Sequence, residues 1–313
     1  MAEHGRFPNQ APRFSVIVAV YNDWTLLDGC LQSLTRERVH PFEVVIVDDG
    51  SQEPAPEYIQ RWSGCYPLTI LRQDHAGISA ARNRGIQHST GEVLVFVDAD
   101  SRVQVNCFAE LAASIENYPE HRFFQLRLVG DCSGIVGRAE ELRLVALQDY
   151  LVQSNGCIRY LNTAGFAVRR DNLDIEAGLF DANVMRGEDT LLLANLIERG
   201  ILPLFVSRAT VRHTVPLSFT KCLRKDIRSA YLEARTYDVI DSRGVKIRMG
   251  TRERISMLLS TWKTSRQASI GRSAWFVLVA RQALQRIVLL VCRSFGIGTK
   301  LHRGASSTRA AQP

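Results

Sequence analysis

No lysine occurs before Lys221, no two cysteines stand as Cys-x-x-Cys, and no uncharged apolar run reaches bilayer-crossing length in this 313-residue sequence. The seven cysteines (Cys30, Cys65, Cys107, Cys132, Cys157, Cys222 and Cys292) are scattered and odd in number. That pattern argues against a disulfide framework and against a structural zinc site, and a reducing compartment such as the cytoplasm fits it best. Residues 1–13 contain no apolar core of signal-peptide length and read as a polar, proline-containing tail. No internal repeat is visible and no nucleic-acid reader motif accompanies the basic residues, so nucleic acid is not an expected partner. What is present is ordinary core material: 46% hydrophobic and 23% charged residues exclude disorder as the main theme.

The net charge of +7 conceals a boundary. Through residue 219 there are 20 arginines against 27 acidic groups, a balance of −7; from Lys221 onward 19 basic face 5 acidic groups, a balance of +14. A basic C-terminal third of this kind suits an anionic lipid surface or an acidic partner, and equally suits a solvated helical face.

From residue 14 the hydrophobic pattern alternates between short β-branched runs and longer amphipathic ones. It predicts strands over 14–20, 42–49, 68–72 and 92–97, with helices over 24–34, near 57–64 and over 78–88. Strand and helix in alternation specify an α/β fold with a mostly parallel sheet flanked by helices. In such sheets ligands sit beyond the carboxyl ends of the strands. The second strand ends in Asp48 and Asp49, and the fourth in Asp98, Ala99 and Asp100. Residues i and i+2 of an extended chain share a side, so Asp98 and Asp100 converge just past the strand. Carboxylates so placed either turn the chain by accepting backbone N–H groups or hold a hard divalent cation, Mg²⁺ for example.

Three other segments carry polar groups of interest. In "HAGISAARNRG" (75–85), Gly77 can bring backbone close to a ligand, the helix that follows offers free N–H groups, and Arg82 and Arg84 supply guanidinium forks suited to phosphate or to solvent. In "MRGEDTLLLANLIERG" (185–200), Glu188 and Asp189 open a helix that Gly200 ends; they serve either its dipole or as a general base. The segment 161–181 reads as a strand, a short helix and a turn, and "ATVRHTV" puts His213 at a strand end, where imidazole is either structural or a metal ligand.

"FSVIVAVYND", "VVIVDDGS", "HAGISAARNRG", "VLVFVDADS", "NTAGFAVRR…GLFD" and "RGEDTLLLANLIERG" occur in the order and rough spacing of the family 2 glycosyltransferases, inverting enzymes with a GT-A fold, which the chain resembles over residues 14–215. The resemblance implies a catalytic domain over 14–215 that moves one sugar from a nucleoside-diphosphate sugar, a UDP-sugar by family base rate, to a carbohydrate or lipid-linked acceptor. It implies that Ala19, Tyr21, Asp48 and Asp49 hold the base and ribose, with Gly77 and Arg82 near the diphosphate. Asp98, Ala99 and Asp100 match the family's DxD motif and would bind Mn²⁺ or Mg²⁺, with His213 as a further ligand. Glu188 and Asp189 match its ED motif, Asp189 being the expected base. A Gln-x-x-Arg-Trp sequence, the mark of processive synthases, does not follow, which favours single transfer. A nucleotidyltransferase of related fold would carry a glycine-rich N-terminal loop, which "VAVYND" lacks, and an inactive sugar-nucleotide binder would not need Asp98, Asp100 and Asp189 together.

Beyond residue 215 helical patterns take over, forming a basic extension to about 300 and a tail over 301–313 that reads as disordered. Acceptor choice is expected to depend on loops around 130–165 and on these helices. The most apolar segment, 273–296, is interrupted by Arg281, Gln282, Gln285 and Arg286 on one helical face. Two central arginines cost about 5–7 kcal/mol on insertion scales, which argues against a spanning helix and for an amphipathic one. Such a helix packs on the catalytic domain, pairs with a second copy in a homo-oligomer, or lies at the inner face of a membrane through 271–295.

Overall fold

The computed structural model describes residues 13–37, 41–130, 134–171, 173–184, 186–214, 220, 222–224, 226–228, 240–247, 249–267 and 271–294. Strand β1 (Phe14–Val20) is the axis of the N-terminal half. It pairs in parallel with β2 (Phe42–Asp48) on one side and β4 (Val93–Phe96) on the other, and β2 pairs in parallel with β3 (Leu68–Arg72). The registers Val20↔Asp48 and Ile17↔Phe96 bring the acidic ends of β2 and β4 to one rim.

Alternation along these strands divides the core into two layers. Phe14, Val16 and Val18 with Val93, Val95 and Val97 face α1 (Trp24–Leu34) and α4 (Cys107–Asn117), contributing to one cluster with Leu27, Leu31, Phe108 and Leu111. Ile17, Leu94 and Phe96 point the other way, joining Ile86 of α3 (Ile78–Gln87) and Leu192, Leu193 and Leu196 of α6 (Glu188–Glu198). Helix α2 (Glu57–Gln60), extended by a 3₁₀ turn to Gly64, lies between β2 and β3 in the chain.

The second half of the sheet is mixed. Strands β5 (Ser101–Val103), β6 (Phe123–Val129), β7 (Phe166–Arg169) and β8 (Leu204–His213) complete the order β3-β2-β1-β4-β7-β6-β8-β5. Four of the seven pairings are parallel; β4–β7, β6–β7 and β5–β8 are antiparallel. The strand expected within 161–181 is β7, but the described residues after it form turns instead of a helix, held to α3 by Asn83, whose Oδ1 accepts from the N–H groups of Leu179 and Phe180 at 3.0 Å. Helix α6 ends as its Gly200 implies: the Gly200 N–H bonds to Ile197 O and the Ile201 N–H to Leu196 O, with Gly200 at φ +72°.

Residues 134–151, expected to be loop, form the 18-residue helix α5 (Gly134–Leu151). Its buried positions, among them Val136, Ala139, Leu142, Leu144 and Ala146, do not follow one stripe, because the helix packs on β6 and also on α7 (Thr251–Gln267) and α8 (Arg272–Ser294). A helix covered on several sides has no polar face to reveal its period. The start of the expected helical extension, beyond residue 215 and as far as residue 239, lies mostly outside the described residues, as do the terminal tails. Helix α8 meets the protein through part of its polar side: Arg281 donates to both oxygens of buried Asp226 and to Glu140, and Gln285 also reaches Asp226.

Candidate active site

The rim at the ends of β2 and β4 gathers acidic groups from three separate segments, and a buried arginine ties two of them together. Arg82, on the second turn of α3 and 3% exposed, donates Nη2 to Asp98 Oδ1 at 2.8 Å and Nη1 to Glu188 Oε1 at 2.6 Å. Burial opposes its charge, but Asp98 and Glu188 outweigh that and hold its pKa above the ordinary value. Phe180 lies under the guanidinium, 5.6 Å from centroid to Cζ. Arg82, expected near the diphosphate, is here an internal counter-ion between the two acidic motifs. Arg84, its neighbour in sequence, has a buried Nε with no hydrogen-bond partner.

Asp100 and His213 meet across the sheet. Antiparallel pairing of β5 with β8 sets Ser101 opposite His213, and His213 Nε2 lies 2.9 Å from Asp100 Oδ2. The Asp100 carbonyl also accepts from Thr214 N and Oγ1 at 3.0 and 2.9 Å, fixing the turn after the DxD sequence. A carboxylate and an imidazole within reach of one another fit a cation such as Mn²⁺, which accepts oxygen and nitrogen donors. The expected trio is not assembled, however: among the described residues no group of three His, Cys, Asp or Glu side chains is arranged to hold a metal ion, and Asp98 is turned to Arg82. Burial raises the Asp98 pKa against the lowering effect of Arg82, with Asp100 adding to the rise. Buried Ala99 separates the two acids without adding a polar group.

Asp189 occupies the first turn of α6. Its Oδ1 accepts from Thr190 N at 2.6 Å and Thr190 Oγ1 at 3.2 Å, while Oδ2 has no protein partner among the described residues. Burial, reinforced by Glu188 and opposed by Thr190 and Arg82, pushes its pKa up to about 7. A carboxylate with one oxygen anchored, the other open and a pKa near neutrality has the attributes of a general base.

Asp48 and Asp49 are buried and shape the loop that follows them. Asp48 Oδ1 accepts from Ser51 N at 2.9 Å; its Oδ2 has no hydrogen-bond partner and lies 3.4 Å from Arg72 Nη1. Asp49 accepts from Gln73 Nε2 and Ala76 N through Oδ1 and from Gly77 N through Oδ2, and His75 Nδ1 lies 3.0 Å from Oδ2. The Gly77 N–H thus serves Asp49. Half-exposed Tyr21 stacks on His75 with centroids 4.4 Å apart, beside partly buried Ala19 at the end of β1. Gly50 closes this loop at φ +77°, and a Cβ there would stand 2.7 Å from His75 N. Gly50→Ala is expected to destabilise the protein by about 1–3 kcal/mol through the left-handed backbone and the clash, visible as a lower urea midpoint. An unchanged midpoint would show that the loop yields freely.

Sequence reasoning passed over His75, Gln73 and Arg72, although His75 opens a motif it quoted. It also passed over Tyr160, whose hydroxyl pKa burial raises to about 12, with Arg143 opposing and Asp189 adding to the rise. No motif marks Tyr160, and only the fold places it in the field of Asp189.

The model of the glycosyl transferase family 2 matches residues 15–173 of this chain, just over half of it. The chain belongs to glycosyl transferase family 2. As a family 2 chain it is 36% identical over 104 residues to the glycosyltransferase YibD of Escherichia coli (strain K12), a match covering 33% of this chain and 30% of that protein, under a third of its length. Among solved structures, a mannosyltransferase of Pyrobaculum calidifontis in complex with GDP-Man and Mn²⁺ superposes with a TM-score of 0.63 at 17% identity, covering 94% of this chain and 90% of that one. The S. aureus TarS fragment 1-349 in complex with UDP-GlcNAc gives 0.54 at 18% identity, covering 90% and 92%. At these identities the likeness is one of fold: the family 2 chain has the GT-A architecture, a mixed, mostly parallel sheet flanked by helices with a helical C-terminal region.

Proposed function

We propose that this chain is a glycosyltransferase that moves one sugar from a nucleoside-diphosphate sugar to an acceptor hydroxyl with inversion. The observation that carries the reading is the Arg82 bridge, which joins the DxD and ED acids at the rim where the sheet presents its ligands. Two fold neighbours are complexes with nucleotide sugars, GDP-Man in one and UDP-GlcNAc in the other.

In this reading Tyr21 and the loop ordered by Asp48 and Asp49 receive the nucleotide. Asp100 and His213 would hold a divalent cation, Mn²⁺ or Mg²⁺, which when bound supplies positive charge to the diphosphate. Arg82 supplies the positive charge between Asp98 and Glu188 and holds the two carboxyl groups side by side. Asp189 Oδ2 takes the proton of the acceptor hydroxyl as its oxygen attacks the anomeric carbon. The bond to the diphosphate oxygen breaks on the opposite face, so one displacement inverts the centre.

Release of a nucleoside diphosphate from a panel of nucleotide sugars, with and without Mn²⁺ and across a range of acceptors, tests the proposal; release of pyrophosphate would overturn it. The Asp189 pKa gives the sign of the pH dependence. Below about 7 the base is protonated and idle, so kcat/KM is expected to rise about tenfold per pH unit on the acid side and level off above neutrality. A flat profile between pH 5 and 8 would remove Asp189 from the role of base.

A further inference from the structure

Helix α8 is turned the opposite way from a helix on a water-facing surface. From Phe276 to Val291 every exposed residue is apolar: Phe276, Ala280, Ala283, Ile287, Leu290 and Val291. Phe276, Ile287 and Leu290 are each 58–60% exposed. Two of the central polar groups, which on a water-facing helix would point outward, face protein instead. Arg281 is 10% exposed and bonds Asp226 and Glu140, and Gln285 bonds Asp226. Helix α7, joined to α8 through Trp275 Nε1 on Leu258 O and Thr261 Oγ1, exposes Ile255 and Leu259 as well.

The stretch of sequence that carries this face has charge of one sign. From Arg254 to the last residue the sequence holds ten basic and no acidic side chains. At the start of α8, Arg272 lies 5.9 Å over the ring of Trp262, and Trp262, Trp275 and Phe276 form an edge-to-face aromatic cluster there. Aromatic rings beside cations, flanking an apolar stripe, match the boundary between headgroups and acyl chains. The same face presented to a second copy would bring two strongly basic segments together, which like-charge repulsion opposes.

We propose that the exposed face of α8 docks the protein onto an anionic lipid bilayer, with the helix lying in the interface. By length and composition alone Arg272–Cys292, of mean hydropathy 1.6, is apolar enough to cross a membrane. Its Arg281 anchors it along α5 through Glu140, so its apolar side meets lipid while its other side stays on the protein. A folded domain attached along the helix cannot enter the hydrocarbon with it.

The test is flotation of the full chain with vesicles of phosphatidylcholine alone and of phosphatidylcholine with phosphatidylglycerol. The wild-type chain is expected to float with the anionic vesicles at low salt, less so as salt rises. The double variant Ile287→Asp, Leu290→Asp should reduce the floated fraction at least tenfold. Phe276→Ser, a milder change, should reduce it severalfold and guards against misfolding of the double variant. Equal flotation with both vesicle types overturns the anionic-lipid assignment. No flotation, with sedimentation showing a dimer that the double variant splits, overturns it in favour of a contact between copies. From cell membranes, release by high salt or alkaline carbonate supports docking, and release by detergent alone overturns it in favour of a spanning helix. Calorimetric titration of each preparation with UDP and GDP separates this inference from the proposed reaction, since nucleotide binding does not depend on the α8 face.

Discussion

Asp189→Asn is expected to lower the turnover of sugar transfer by about 10²–10⁴-fold, the usual contribution of a positioned general base, with donor affinity unchanged within about twofold. The substitution is conservative in structure. Asp189 Oδ1 is held by the Thr190 N–H at 2.6 Å, and an asparagine carbonyl can accept the same bond. What is lost is the open Oδ2 and, with it, a group that takes a proton near pH 7. The variant should fold normally and bind nucleotide. Steady-state release of nucleoside diphosphate and calorimetric titration with the donor measure the two quantities separately. Loss of donor affinity in step with turnover would mean that Asp189 holds the donor and that the base lies elsewhere.

The second large effect is on stability as well as activity. Arg82→Met keeps the bulk of the side chain against Phe180 but removes the charge that pairs Asp98 with Glu188. Removing one partner of a buried ion pair costs about 3–5 kcal/mol; with the Asp98 side chain 34% exposed and partly served by water, the lower end, about 3 kcal/mol, is expected. Urea denaturation reads this directly. The double variant Arg82→Met, Glu188→Gln should recover part of the loss, because the charge left stranded by the first change is neutralised by the second. If the single variant unfolds at the wild-type urea concentration, the bridge does not organise the site. Transfer should fall in both variants, since Asp98 then has no fixed partner beside Asp100.

The two predictions differ in how much of their basis could be read from the sequence. Asp189 was legible as a candidate because its signal is local: acidic residues after a glycine, at the start of a leucine-rich helix. The strands β1, β2 and β4 were legible for the same reason, since burial on both faces demands continuous apolar runs, whereas β3, a partly exposed edge strand, was legible from its short apolar run between turn signals. The role of Arg82 was not. "HAGISAARNRG" reads as a helix with arginines for solvent or phosphate, and nothing within eleven residues says that this guanidinium is buried against Glu188, 106 positions away.

By itself, then, the sequence determined the parallel N-terminal half of the sheet, the acidic rim, the family to which the chain belongs and the basic character of the C-terminal third. These follow from periodicity, from residue type at strand ends and from composition, which are properties of neighbouring residues. The tertiary structure alone decided that Asp100 meets His213, that Asp98 is held by Arg82, that 134–151 is helical under cover from several sides, and that Arg281 of α8 faces inward with the apolar stripe outside. A helical pattern states that one face is polar and another apolar; which of them turns toward the protein depends on the charge waiting there. Here that charge is Asp226, buried and far away in sequence.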